Sequence, residues 1–169
     1  FISIASSIEN TVSEMQDSII EELKSAFPDI IGPSVHSLPV ALLKVSAATG
    51  RKFFIIIDEW DALFREAADD EKIQKSYIQL LRALFKGLQV TQFLAGAYMT
   101  GILPIKKYGT QSALTDFREF TMLEPGFLAE YVGFTEKEVL DLCQYHQLDF
   151  AEANKWYDGY QFDNIGHVY

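Results

Sequence analysis

The sequence FFIIIDE, residues 53–59, is an unbroken apolar run that ends in two acidic side chains, Asp58 and Glu59. The run shows no alternation of polar and apolar residues, which is typical of a central strand covered on both faces, as in a parallel sheet. In open α/β sheets, ligand sites lie just beyond the carboxyl ends of the strands. A carboxylate at this position is therefore expected to point into a ligand crevice.

Strands and helices alternate along the rest of the chain. β-Forming runs predict further strands near residues 1–6, 92–100 and 118–123. This alternation, with helices at 3.6-residue spacing, indicates an α/β fold with a parallel, helix-covered sheet and right-handed crossovers. We expect the strand near residues 53–58 to lie in the middle of this sheet. Three more helices are predicted towards the C-terminus, over residues 125–131, 135–146 and 150–157.

Bulk composition limits the class of protein. A chain of 169 residues with 49% hydrophobic residues can bury one sizeable core, so we expect a single domain. Within it, residues 1–133 are predicted as the α/β core and residues 134–169 as its helical C-terminal extension. The net charge of −10 argues against direct nucleic-acid binding. A single cysteine and the lack of a long apolar run favour a cytoplasmic protein without a membrane span.

The two acids after the apolar run suit a metal-dependent phosphate reaction. In phosphate-loop ATPases, an Asp at this place holds Mg²⁺, usually through water, and an adjacent Glu can polarise the attacking water. Both tasks require carboxylates, because Mg²⁺ prefers oxygen ligands and the water needs a base. The alternative is a purely structural role, in which Asp58 caps a helix over residues 60–64 and Glu59 interacts with its dipole.

Longer matches carry a family resemblance. The segment FIIIDEWDALFR, residues 54–65, closely resembles the Walker B segment of the bacterial AAA-ATPase-like family. The similarity continues, in the family's order, through YMTGILPIKKYGTQSAL (98–114), PGFLAEYVGFTEKEV (125–139) and WYDGY (156–160). Residues 1–52 resemble the family only in the order of elements. Members are often linked to a C-terminal nuclease-like domain, which the resemblance implies as a possible partner here.

The resemblance implies a fold and a set of roles. The implied fold is a three-layer α/β fold of the P-loop NTPase type with a parallel sheet, and the implied ligands are ATP and Mg²⁺. Asp58 is expected to hold Mg²⁺ through water, as in this family's pattern, and Glu59 is expected to act as the catalytic base. Thr100 corresponds to the polar sensor residue that contacts the γ-phosphate or the attacking water. For Thr100 a simple turn or helix cap before Gly101 is the alternative.

Other polar and aromatic residues receive mainly structural assignments. Lys106 and Lys107 are interpreted as a solvated pair, with phosphate contact as the alternative. Arg118 is interpreted as a surface ion-pair residue, with a sensor or finger role as the alternative. Three aromatic residues are predicted to pack the C-terminal helices rather than to bind a base: Trp156, Tyr157 and Tyr160. Three histidines are assigned surface or packing roles: His36, His146 and His167.

The phosphate-binding motif Gly-x-x-x-x-Gly-Lys-Ser/Thr does not occur in these 169 residues. The nearest sequence, TGRK at residues 49–52, precedes a strand, whereas a phosphate loop follows one. The chain is therefore expected to begin after this loop and to lack its strand, which normally lies between the strands near residues 92 and 118. If the loop is missing, the isolated chain is expected to bind ATP weakly or not at all. Binding of ATP and Mg²⁺ is then expected only in a protein that also contains the phosphate loop.

Three functions compete on these grounds. The leading one is an ATPase segment whose Asp58 and Glu59 act in the full-length protein. The second is a non-catalytic interaction module that retains only the scaffold. A metal-dependent phosphodiesterase built on Asp58, Glu59 and Asp61 is disfavoured, because the three acids are local and no distant ligand completes a metal cage.

Overall fold

The computed structural model describes residues 10–103, 116–157, 159–162 and 166–169. The chain divides into two compact units, residues 1–117 and 118–169. The predicted division into a core over residues 1–133 and an extension over residues 134–169 stays a prediction. No helix in the described ranges is long and apolar enough to cross a membrane.

The first unit is a mixed α/β structure. In chain order its described elements are α1 (Thr11–Ala26), α2 (Leu38–Thr49), β1 (Phe53–Ile57), α3 (Ala62–Glu66), α4 (Glu71–Phe85), α5 (Val90–Phe93) and β2 (Leu94–Met99). The strand predicted near residues 53–58 and the strand predicted near residues 92–100 are both present. The second is shorter than predicted, because Phe93 ends a helical turn and the extended backbone begins at Leu94.

β1 and β2 pair in parallel, as predicted. Ile55 lies opposite Ala97 and Ile57 lies opposite Met99, so the two strands end side by side. The predicted strand near residues 1–6 lies outside the described residues. The predicted middle position of β1 depends on that strand and therefore stays a prediction. The described part of the sheet has two strands, and the three-layer P-loop-type sheet stays a prediction.

The strand predicted over residues 118–123 is wrong. Its backbone is irregular, and a tight turn joins Thr121 to Glu124 through hydrogen bonds in both directions, of 3.1 Å and 3.3 Å. This turn uses the backbone groups that a strand would offer to a neighbour. Phe120 packs edge-on against Phe127, with ring centroids 5.1 Å apart, so its side chain belongs to a local cluster rather than to the sheet.

The core of the first unit lies between the helices and one face of the sheet. Ile55 and Ile57 of β1 pack against it, together with buried side chains from α1, α2 and α4. The opposite face is exposed: Phe54 is 62% exposed, Ile56 71% and Tyr98 49%. The prediction that β1 is covered on both faces is therefore wrong for the described structure. An apolar run shows that both faces can be buried, but it does not supply the element that buries them.

The second unit contains short helices and a hairpin. Its described elements are a 3₁₀-helix (Gly126–Tyr131), α6 (Glu136–His146), α7 (Phe150–Trp156), β3 (Tyr160–Phe162) and β4 (Gly166–Val168). The three predicted helices are present, and the antiparallel β3–β4 hairpin was not predicted. A small core of Ala129, Phe162 and Val168 holds the hairpin against the 3₁₀-helix.

Candidate functional site

The parallel pairing of β1 and β2 brings Asp58 and Thr100 together at the carboxyl ends of the strands. The Thr100 N–H donates to the Ile57 carbonyl at 3.0 Å, which continues the ladder past the end of β1. The Thr100 hydroxyl then donates to Asp58 Oδ1, across 42 residues of sequence. A polar pair at this edge agrees with the general location of ligand sites in open α/β sheets.

Thr100 also organises the backbone that follows Asp58. Its hydroxyl oxygen accepts a hydrogen bond from the Glu59 N–H at 3.1 Å, and its carbonyl accepts from the Trp60 N–H at 2.9 Å. Glu59 adopts a left-handed conformation with φ of 49°. For a residue other than glycine this conformation costs about 1–2 kcal/mol, so the surrounding contacts must maintain it. Thr100 supplies two of those contacts.

The Glu59 side chain forms an ion pair. Its Oε2 lies 2.8 Å from Arg65 Nη2, and the two side chains are 63% and 31% exposed, respectively. A pair with this degree of exposure contributes about 0–1 kcal/mol to stability. The pair therefore adds little to stability, and it places the Glu59 carboxylate beside the Arg65 guanidinium.

Asp61 is the buried acid of this turn, with no exposed surface. Its Oδ2 accepts hydrogen bonds from the backbone N–H groups of Ile102, at 3.2 Å, and Leu103, at 3.0 Å. Arg65 Nε lies 3.4 Å from the same oxygen. Oδ1 is buried and has no hydrogen-bond partner among the described residues. Asp61 thus ties the turn after β1 to the segment after β2.

The sequence interpretation gave Asp61 a place only in the disfavoured phosphodiesterase. Two features of the sequence could have indicated that Asp61 is buried and paired. Arg65 follows four residues later, the spacing of one helical turn, and Gly101 follows Thr100 directly. A Cβ at residue 101 would lie 2.8 Å from Asp61 Oδ1 and 2.5 Å from Trp60 Cδ1, so only glycine fits at that point without a shift of its neighbours.

The charge of Asp61 also acts on the core beneath the turn. Burial raises the pKa of the Tyr77 phenol, and the negative charge of Asp61 raises it further. Tyr77 is 5% exposed and its ring packs against that of Phe64, with centroids 5.9 Å apart. The phenol consequently stays protonated over the physiological pH range, and the site gains no further negative charge from it.

A family model described as AAA-ATPase_like, Predicted AAA-ATPase, matches residues 2–110. The chain belongs to this AAA-ATPase-like family. The match includes every residue of the β1–β2 site and extends to residues 2–52, for which only a resemblance in the order of elements was predicted from the sequence. The resemblance noted over residues 125–139 and 156–160 stays a prediction. No curated protein and no solved structure matches the chain.

The described structure does not show the two specific capping contacts that were weighed as structural alternatives for Asp58 and Thr100 in this AAA-ATPase-like chain. Asp58 does not cap a helix, because α3 begins at Ala62 and its N-cap position is occupied by Asp61, which makes no side-chain cap bond. Thr100 does not cap a local turn through its side chain, because its hydroxyl bonds to Asp58 and Glu59 instead. Both side chains therefore hold the two strand ends together.

The donor set of the AAA-ATPase-like site fits a magnesium ion that brings its own remaining ligands. Mg²⁺ keeps several waters and usually binds one or two carboxylates plus substrate phosphates. Asp58 is exposed at the strand end, with one oxygen hydrogen-bonded to Thr100. Within the described ranges, no three His, Cys, Asp or Glu side chains are placed to form a complete metal cage. This arrangement also gives no support to the phosphodiesterase interpretation.

The other sequence candidates lie elsewhere or show other contacts. Lys106 and Lys107 lie outside the described residues. Arg118 lies over the ring of Phe120, 4.8 Å from its centroid, so a cation–π contact replaces the predicted ion pair in the described structure. Three aromatic side chains are exposed, at 82%, 68% and 61%, and the prediction that they pack the helices is wrong for them: Trp156, Tyr157 and Tyr160.

The histidines take the surface and packing roles that were assigned to them. His36 is exposed in the loop before α2. His146 is exposed and packs edge-on against Tyr145, with ring centroids 4.9 Å apart. His167 stacks on Tyr169, with ring centroids 4.6 Å apart.

Proposed function

We propose that this chain supplies the metal-binding and water-activating part of an ATP-hydrolysing site. The observation that carries the proposal is the hydrogen-bonded arrangement of Asp58, Glu59 and Thr100 at the adjacent carboxyl ends of β1 and β2. Family membership supports a nucleotide as the ligand, because the matched family is a predicted ATPase.

Each residue has a distinct role in this proposal. Asp58 would hold Mg²⁺ through water, and the bound ion would supply charge neutralisation at the phosphates. The Thr100 hydroxyl orients Asp58 and lies at the strand end where the terminal phosphate or the attacking water would be sensed. Glu59 accepts a proton from the attacking water as the water oxygen bonds to phosphorus and the bond to the leaving phosphate oxygen breaks.

Local charge supports a cationic ligand at this position. The described residues of the site include three acids, Asp58, Glu59 and Asp61, and one cation, Arg65, which pairs with Glu59 and Asp61. Two of these acids are exposed, whereas Asp61 is buried and already hydrogen-bonded. A divalent ion would neutralise the excess negative charge before the phosphates of ATP approach.

The alternative is a non-catalytic module on the same scaffold. It is favoured by one sequence observation, the lack of a Gly-x-x-x-x-Gly-Lys-Ser/Thr motif in these 169 residues. In the ATPase proposal, donors to the β- and γ-phosphates come from outside this sequence. In the alternative, Asp58 and Thr100 only join the strand ends. A linked nuclease-like domain remains a prediction under either function.

The substitution Glu59→Gln in the full-length protein tests the proposal. It removes the base and keeps the shape, so ATP binding should persist while turnover falls by two orders of magnitude or more, roughly the contribution of general-base catalysis. Nucleotide binding is measured by equilibrium dialysis and turnover by phosphate release. The matched control is Glu66→Gln, an exposed glutamate at the end of α3. Equal turnover by both variants would overturn the role of Glu59 as the base, whereas a lack of turnover by the unsubstituted full-length protein would favour the non-catalytic module.

A further inference from the structure

Arg65 lies between two acids that have different environments. Its Nη2 is 2.8 Å from Oε2 of the exposed Glu59, and its Nε is 3.4 Å from Oδ2 of the buried Asp61. A guanidinium has a rigid planar fork, so fixing one edge of it also fixes the direction of the other. The contact with Asp61 therefore decides where Arg65 can hold the Glu59 carboxylate.

Asp61 is itself fixed more firmly than an ordinary surface acid. The carboxylate is fully buried, and its Oδ2 accepts two backbone hydrogen bonds from Ile102 and Leu103 as well as facing Arg65. A buried charge is retained only where hydrogen bonds and an opposite charge compensate its loss of solvent. The same oxygen thus joins Arg65 to the segment that follows Thr100.

We propose that Asp61 and Arg65 are positioning residues for Glu59. Asp61 anchors both Arg65 and the segment after β2, and Arg65 holds the Glu59 carboxylate in the orientation that receives a proton from water. This inference rests on the proposed function, because it assigns Glu59 the role of base. Asp61 is fully buried and Arg65 pairs with Glu59, so the inference assigns both residues an action through Glu59 rather than on the substrate.

Substitution of Arg65 in the full-length protein tests the positioning role. Arg65→Gln should lower kcat for ATP hydrolysis by about tenfold or more, the usual effect of removing a residue that orients a functional group, with KM for ATP within about twofold. Arg65→Lys should restore part of kcat, because lysine keeps the charge but loses the fork. The matched control is Lys75→Gln, which breaks the exposed 2.9 Å pair with Glu71 in α4. The control should leave kcat unchanged.

The pair of substitutions Glu59→Gln and Arg65→Gln separates positioning from a general structural effect. If Arg65 acts through Glu59, Arg65→Gln should not lower the residual turnover of Glu59→Gln any further, as measured with radiolabelled ATP. An additive loss in the double variant overturns the inference. An unchanged kcat in Arg65→Gln, when Glu59→Gln is inactive, also overturns the positioning role. That result does not contradict the proposed function. Unchanged turnover in Glu59→Gln overturns the proposed function, and the positioning role with it.

The anchor can be measured without ATP. Asp61→Asn keeps the size of the side chain but removes its charge, so it should weaken the hydrogen bonds from the Ile102 and Leu103 amides. Amide hydrogen exchange at these two residues should become at least several-fold faster than in the Lys75→Gln control. Unchanged protection of both amides overturns the anchoring role of Asp61. Arg65→Gln serves as the second variant if Asp61→Asn does not fold, since Arg65 is partly exposed.

Discussion

The substitution Gly101→Ala should destabilise the first unit by overpacking the turn beneath the site. A Cβ at residue 101 would lie 2.5 Å from Trp60 Cδ1, 2.6 Å from Trp60 Nε1 and 2.8 Å from Asp61 Oδ1. Neither neighbour has space in solvent to move into, because Trp60 is 3% exposed and Asp61 is fully buried. The added methyl group must therefore displace the Trp60 ring or the backbone of residue 101.

The size of the effect follows from that displacement. Ordinary van der Waals contact begins at 3.4 Å, so the Trp60 ring must retreat by about 0.9 Å to accommodate the methyl group. Overpacking of a well-packed core by one carbon costs about 1–3 kcal/mol. For a chain of this size each kcal/mol lowers Tm by about 2–4 °C, so the expected loss is about 2–12 °C.

Urea denaturation followed by tryptophan fluorescence measures the loss in the free energy of unfolding. The sequence has two tryptophans, so a Trp156→Phe background leaves Trp60 as the reporter of the first unit. Gly32→Ala is the matched control, because a Cβ at residue 32 meets nothing within 4 Å. The control should change the free energy of unfolding by no more than about 0.5 kcal/mol. Coincident midpoints for Gly101→Ala and Gly32→Ala would refute the close packing of Gly101 on Trp60.

Two further predictions concern hydroxyl groups. Thr100→Val should lower ATP turnover of the full-length protein by on the order of tenfold to a hundredfold, because it removes the hydroxyl that contacts Asp58 and the Glu59 N–H. Thr100→Ser keeps the hydroxyl and should retain most of the turnover. Equal turnover of the two variants in a phosphate-release assay would contradict the role of the hydroxyl. Hydrogen bonds from the Thr135 side chain and backbone hold the pKa of Glu138 below its ordinary value of 4.5. The contribution of ionised Glu138 to the stability of α6 is therefore present above pH 4.5 and is lost as the pH falls through the lowered pKa. Thr135→Ala should move the Glu138 pKa upward towards 4.5 in an NMR titration, and an unchanged pKa would show that the hydroxyl is not its cause.

The apolar run at residues 53–57 was sufficient to predict β1, whereas the functional site at its acidic end stays a prediction. Local pattern carries this information, because an apolar run of only five residues, all Phe or Ile, has the length and composition of a strand rather than of a buried helix. The family assignment also came from sequence, since it rests on the order and spacing of motifs, and the match over residues 2–110 bears it out. Parallel pairing with the next strand followed from the helix between them.

The failed predictions share a physical cause. The strand predicted over residues 118–123 was judged on β-propensity, yet its backbone closes a turn at Thr121 and Glu124 and Phe120 packs locally. β-Propensity measures how well a side chain suits a pleated, half-buried surface, so it does not reveal whether a neighbouring strand is available. The same reason explains why Phe54 and Ile56 are apolar and exposed.

The sequence alone indicated the family and the strand that precedes Asp58 and Glu59, and it led to the proposal of a metal-dependent chemistry for these two acids. These properties depend on residues that are neighbours in the chain. The tertiary structure decided that Thr100 bonds to Asp58 across 42 residues, that Asp61 rather than Asp58 is buried, and that Arg65 lies between Glu59 and Asp61. These contacts depend on the register of β1 against β2, because only that register brings the turn after one strand against the segment after the other.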